Sequence, residues 1–250
     1  MEASDGVLSI LFEMKSMLQT PLEKKVTTRP RNWEKSMTKM MKCAHAAVFL
    51  LGIATAGSAH SQGLLTADQP QVTVGDTWVY SVRDRRTGEI RFKGIRHVVQ
   101  AVSSDQIVVR LPRSQRTYRR DFNLKEVRTG NAVTEVHTPA WIYFQFPLEV
   151  GKRYQARFES QWADSTMSRW HWECVVEAVE TVTTPAGTFE AFRIRMDGIY
   201  NYFGIARSWS GSRTHMVWYA PAVNRHVKIQ YSGRWSFGGE SHSDSGTEIE

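Results

Sequence analysis

From about residue 72 to residue 235, apolar and polar side chains alternate, and no stretch keeps an apolar stripe at helical spacing for three turns. Trp78, Tyr80 and Val82 alternate with Val79, Ser81 and Arg83, and Phe192, Ile194 and Met196 alternate with Arg193 and Arg195. Successive strand side chains point to opposite faces, so this pattern describes strands with one face buried and an arginine-rich face in water. The chain is therefore expected to be all-β, with antiparallel curved sheets. Turn chemistry falls between the alternating runs, at Arg86-Thr87-Gly88, Ser103-Ser104-Asp105 and Thr184-Pro185-Ala186-Gly187.

Within the alternation a phrase recurs. Val74-Gly75-Asp76-Thr77-Trp78 is answered by Val150-Gly151-Lys152-Arg153-Tyr154 at an offset of 76, and Val98-Val99-Gln100-Ala101-Val102 by Val175-Val176-Glu177-Ala178-Val179 at 77. The faces agree as well: Ile95, His97, Val99 and Ala101 share one side, and Trp172, Cys174, Val176 and Ala178 stand at the matching places. A slip of one residue exchanges buried and exposed sides, so a whole strand in register points to a duplicated β unit. The expectation is an open barrel or clamshell from two related halves, about 72–148 and 149–231, within a single β domain over 72–235. Extra residues in the second copy, around Thr184 to Gly187, are expected to lie in a loop, and residues 236–250, rich in Ser, Gly, Asp and Glu, to form a flexible tail.

The first quarter has another character. Lys39 and Lys42 precede an apolar run around Ala46 to Ala54, and Gly57, Ala59 and Ser61 offer small residues for cleavage near Ala59 to Ser61. The run is about 11 residues, short of the roughly 20 that a spanning helix needs. Residues 37–61 thus read as a signal peptide, 1–36 as an extension ahead of the true start, and 62–71 as a linker. The product is expected to be periplasmic or secreted, and not membrane-spanning. Cys43 leaves with the signal, so Cys174 has no partner for an internal disulfide. The 32 Lys and Arg and 25 Asp and Glu of the whole chain become 24 and 20 after residue 61, a net of +4. That is solubility charge, with no case for nucleic acid. The cluster of Arg110, Arg113, Arg116, Arg119 and Arg120 is broken by Leu111, Pro112 and Tyr118 and reads as a solvated face.

No phosphate-cradling glycine loop, Gly-x-Ser-x-Gly elbow, His-Glu-x-x-His or Cys-x-x-Cys is present, and no cofactor or metal is implied. His171 and Glu173 share a strand face, and with Asp164 they are the acid and base candidates for an enzyme acting on envelope polymers. Aromatic residues offer more. Trp141, Tyr143, Trp170, Trp172, Tyr200, Tyr202 and Trp209 gather in or beside the second copy, and large rings with polar tips can line a ligand cleft as well as fill a core.

The phrases Thr184-Pro185-Ala186-Gly187-Thr188-Phe189-Glu190-Ala191-Phe192-Arg193-Ile194 and Val217-Trp218-Tyr219-Ala220-Pro221-Ala222-Val223-Asn224-Arg225-His226-Val227-Lys228 resemble secreted bacterial proteins of the DUF3108-like (TapB-like) group. The resemblance covers about residues 70 to 231 and implies an open β clamshell of unknown function, without catalytic residues. Asn224 stands where other members have Gly; both tolerate left-handed backbone, so the turn is expected to survive. Together these readings favour an exported binding protein that takes a lipid, an acyl chain or an extended peptide in an aromatic cleft. The alternatives are the envelope-polymer enzyme and an assembly protein that offers an exposed strand edge to a partner.

Overall fold

A computed structural model describes residues 66–250, so the expectations for residues 1–65 lie outside the described residues. The strands are β1 (Thr66–Ala67), β2 (Thr77–Asp84), β3 (Ile90–Val102), β4 (Gln106–Arg110), β5 (Ser114–Arg119), β6 (Leu124–Thr129) and β7 (Ala132–Trp141). They continue with β8 (Leu148–Glu149), β9 (Arg153–Trp162), β10 (Met167–Thr184), β11 (Gly187–Phe203), β12 (Ser208–Ala220), β13 (Arg225–Phe237) and β14 (Glu240–Ile249). The fold is all-β and antiparallel, as the alternation requires. The curvature goes to completion: twelve strands close a barrel in the order β10-β11-β12-β13-β14-β2-β3-β4-β5-β6-β7-β9, and β1 pairs with β8 in a separate two-stranded sheet.

Closure corrects the expectation of a flexible tail. Residues 240–249 form β14, which pairs along β13 and then, through Thr247, Glu248 and Ile249, with Asp84, Arg83 and Val82 of β2. Ser81 and Glu250 exchange backbone hydrogen bonds at 2.8 and 3.1 Å on the same seam. The strand is held through its backbone, and its sequence Glu-Ser-His-Ser-Asp-Ser-Gly-Thr-Glu-Ile has no large apolar face to announce it. The expected linker is also tied down, since Thr66 and Ala67 pair with Glu149 and Leu148, and Ala67 and Val72 are buried. Closure gives each barrel strand a neighbour on both sides over part of its length, so the strand edges that remain are those of the β1–β8 pair and of segments such as the end of β10 beyond Val175, which β9 does not reach.

The echoed phrases take one geometry. Gly75 N donates to Val99 O at 2.9 Å and Gly151 N to Val176 O at 2.8 Å; Val99 N donates to Asp76 O and Val176 N to Lys152 O, both at 2.9 Å. Gly75 and Gly151 each take the positive φ that this turn needs, +99° and +89°. The register shifts by one residue between Val99 and Ala101 and again between Val176 and Ala178. The extra residues of the second copy are not in a loop: they lengthen the β10–β11 hairpin, in which Thr184 pairs with Gly187 across a two-residue turn. Asn224 adopts φ 53°, ψ 29° after the short helix Pro221–Val223, the left-handed backbone expected of it.

The pattern is plainest on β9, polar outside and mostly apolar inside. Along β9 Arg153, Gln155, Arg157, Glu159 and Gln161 are exposed, while Tyr154, Ala156, Phe158 and Ser160 are buried. A membrane-spanning barrel shows lipid an apolar band, the opposite arrangement. Among the described residues no helix is long and apolar enough to cross a membrane either. Inside, large rings sit over glycines on the neighbouring strand. Trp172 pairs with Gly198, where a Cβ would stand 2.4 Å from the ring, and Tyr200 pairs with Gly211, where it would stand 2.7 Å away. Gly198→Ala should therefore destabilise the fold by about 1–3 kcal/mol through overpacking. Urea unfolding of the variant reads this directly, and an unchanged midpoint would remove the packing role assigned to Gly198.

Candidate functional site

The aromatic residues singled out in the sequence meet inside the barrel. Trp170 and Trp172 alternate inward on β10, and their rings stack at 5.4 Å and 1°. Trp170 lies directly across from Tyr200 with ring centroids 4.4 Å apart, and Trp141 stands 5.4 Å from Trp170 and 5.9 Å from Tyr143. Two residues farther along the same face of β11, Tyr202 stacks on its cross-strand partner Trp209 at 3.8 Å, and Trp209 meets Phe237 edge-on at 6.4 Å. The result is a column of rings from Trp172, fully buried at 0 % exposure, to half-buried Trp209 at one end of the barrel. Most of these rings are buried against one another, so the column is first of all core.

Several members were not legible from local sequence. His215 lies 4.8 Å from Trp172, 6.2 Å from Tyr143 and 6.3 Å from Trp141, at the centre of the column. Arg213, on the same inward face of β12, places its guanidinium 5.6 Å over Trp170 and 5.9 Å over Tyr200. The alternation His215, Val217 could have marked His215 as inward, but only the β10–β11–β12 pairing puts it beside Trp172. Polar atoms left over at this place are concentrated: Nε1 of Trp141, Nε1 of Trp172 and both ring nitrogens of His215 are buried without a hydrogen-bond partner in the protein. An indole N–H can only donate, and leaving it unpaired costs about 1–3 kcal/mol.

A second polar row crosses β7 and β9. His137 Nδ1 lies 2.8 Å from Ser160 Oγ, its direct cross-strand partner, and His137 Nε2 lies 3.4 Å from Glu135 Oε1. Hydroxyl, imidazole and carboxylate in a row resemble a hydrolytic relay. Ser160, however, is 0 % exposed, and burial, with the Arg116 guanidinium adding to it, lowers the His137 pKa to about 3. An imidazole of that basicity is a feeble proton acceptor near neutral pH. The row reads as a buried core network, hydrogen-bonded at His137 Nδ1 and Ser160 Oγ, and not as a relay.

The acid and base candidates from the sequence do not assemble with it. His171 and Glu173 lie on the outward face of β10, opposite Arg157 and Gln155 on β9, and Asp164 sits in the β9–β10 turn, accepting from Thr166 N and Oγ1 at 3.0 and 2.6 Å. Among the described residues no three His, Cys, Asp or Glu side chains stand close enough to hold a metal ion. At the other end of the interior Arg225, 2 % exposed, is caged by rings of Phe122, Tyr118 and Trp78 at 4.0, 4.8 and 5.4 Å, and its Nη2 donates to Tyr118 Oη at 3.2 Å. Arg225 and Arg116 together hold the Tyr118 hydroxyl below the ordinary tyrosine range despite its burial.

No protein-family model matches the chain, and no curated protein sequence matches it. The likeness of the Thr184 and Val217 phrases to the DUF3108-like group therefore stays a likeness of phrases. Three of the solved structures to which the chain is similar can be named. They are a candidate lipoprotein from Parabacteroides distasonis (11% identity, TM-score 0.41, 73% of this chain and 96% of that one), the hypothetical lipoprotein YmcC from Escherichia coli K12 (11%, 0.38, 72% and 88%), and a candidate exported protein with a YmcC-like fold from Bacteroides fragilis (13%, 0.38, 74% and 99%).

Two outcomes test the electrostatics of the interior. Burial lowers the pKa of His97, His137, His215 and His226, with neighbouring arginines adding to the effect. Below about pH 6.5 the unfolded chain takes up protons that the native state refuses, so stability falls with pH by up to about 1.4 kcal/mol per unit for each histidine. For His137 the loss continues to about pH 3. In urea titrations between pH 6 and pH 4.5, His137→Gln should have a shallower pH slope by about one proton; an unchanged slope would place His137 in water. The Cys174 thiol is pushed up to about 12, chiefly by burial. It should therefore react with a thiol reagent at pH 8 only after unfolding, and rapid reaction of native protein would contradict the burial.

Proposed function

We propose that the chain is an exported protein of the cell envelope that binds an amphiphile without transforming it, seating the ligand's apolar body against the ring column. Export rests on the Lys39–Ser61 signal pattern in the sequence. The observation that carries the binding reading is the coincidence of the column with unpaired donors. Trp172 and Trp141 present N–H groups beside His215, held neutral by burial, and the rings continue outward to Trp209. A ligand with an apolar chain or ring and one or two acceptor oxygens complements such a wall. Barrel width points the same way. Eight strands enclose an interior that side chains can just fill or that holds one small ligand, and diameter grows with strand number; this barrel has twelve.

The non-catalytic half of the proposal rests on the enclosure of Ser160 and the weak basicity of His137. The test uses protein recovered from the periplasm of an exporting host and the dye N-phenyl-1-naphthylamine. Saturable dye fluorescence that a long-chain acyl compound displaces is the expected result. Trp209→Ala should weaken dye binding roughly tenfold, the scale of removing one aromatic anchor. Folded wild-type protein with no saturable response would overturn the proposal.

A further inference from the structure

The two ends of the barrel differ in charge and polarity, and neither the aromatic column nor the wall requires this. Antiparallel order places the turns at 85–89, 111–113, 130–131, 163–166, 204–207 and 238–239 at one end, and the connections at 68–76, 103–105, 120–123, 142–152, 185–186 and 221–224 at the other. The first set carries Arg85, Arg86, Arg113 and Arg207 against Glu89 and Asp164. The second carries Asp68, Asp76, Asp105, Asp121 and Glu149 against Arg120 and Lys152. From 198 to 239, a span that includes the β11–β12 turn and reaches the β13–β14 turn, there is no carboxylate at all.

The cationic end also holds exposed apolar side chains. Ile205, at the tip of the β11–β12 hairpin, is 84 % exposed, and Phe203, Phe237 and Ile90 stand exposed at strand ends on the same end of the barrel. Arginines lie over two of these rings: Arg207 over Phe237 at 5.1 Å and Arg169, which also pairs with Glu159 at 2.8 Å, over Phe203 at 5.5 Å. Half-buried Trp209 and Trp162 lie just inside, against Tyr202. Water solvates an isolated isoleucine at a hairpin tip poorly, and burying it is favourable. An apolar tip within a ring of aromatic side chains and guanidiniums matches the layered chemistry of a bilayer surface, with hydrocarbon below and anionic headgroups above.

We propose that this end of the barrel docks on the surface of an anionic lipid bilayer, with Ile205, Phe203 and Phe237 entering the headgroup boundary and Arg85, Arg86, Arg113 and Arg207 meeting lipid phosphates. The surface stands whether or not the interior takes a ligand. If both hold, the ring column opens toward the membrane. Between the ends the outward side of β9 is charged or amide-bearing and stays in water.

Vesicle sedimentation of protein recovered from the periplasm tests this, with phosphatidylglycerol-containing vesicles and pure phosphatidylcholine vesicles as the two arms. Wild-type protein should partition to the anionic vesicles, and less as salt is raised, because surface charges are screened over about 10 Å at 0.1 M. Ile205→Asn should lower the partition coefficient roughly tenfold, and Arg86→Gln roughly fivefold, the scale of one juxtamembrane cation. Ile199→Asn is the control: Ile199 is 64 % exposed on β11, which leads into the Ile205 hairpin, but on the outer wall, and its loss should leave partitioning unchanged. Absence of wild-type binding, equal binding to both vesicle types, or equal losses in the Ile205 and Ile199 variants would each overturn the proposal. Because dye binding is measured without vesicles, failure here and failure of interior binding are separate results.

Discussion

The seam between β14 and β2 is the constraint on which the rest of the structure depends. Three residue pairs and the Ser81–Glu250 backbone bonds turn a curved sheet into a closed cylinder. An open sheet of this length would leave two unpaired edges and could flatten until its faces met. Once closed, its circumference is fixed by strand number, and the interior must be filled or lined by whatever points inward. Tryptophan and tyrosine answer that demand, because only large rings reach far from a wide wall. Glycines at 198 and 211 let the rings lie flat across neighbouring strands.

Closure also decides the electrostatics. Residues turned inward are dried together, so His97, His137 and His215 are held neutral and two buried arginines rest against ring faces. A guanidinium over an aromatic face gives up less of its hydration than one forced against an aliphatic wall, and the attraction grows as water is removed. The interior is thus more polar than a fully apolar core and more crowded than an aqueous channel. Outside, the relation is reversed, with arginine and glutamate standing where a membrane barrel would carry leucine and valine.

Much of this was legible locally. The period-two alternation specifies strand faces, and the recurrence of Val-Gly with Val-Val marks two turns with the same hydrogen bonds and the same bulge. The aromatic set around Trp141, Trp170, Trp172 and Tyr200 was visible as a composition and proved to be a contact. Residues joined across strands were not. His215 is 43 positions from Trp172, and the Ser160–His137 pair depends on β7 lying beside β9 with β8 set aside. The last strand escaped notice for a different reason. It is recruited by backbone hydrogen bonds, which any sequence can offer, while pattern reading detects the burial of side chains.

The sequence by itself determined strand character, the inward side of most strands and that the sheets are antiparallel, because these follow from side-chain period and local backbone preference. It also held the charges that make one end cationic, although their grouping was invisible along the chain. Tertiary structure alone decided that the sheet closes, which turns share an end, and which rings meet. Those outcomes depend on long-range pairing, whose register is set by the whole circuit of twelve strands and by no single segment.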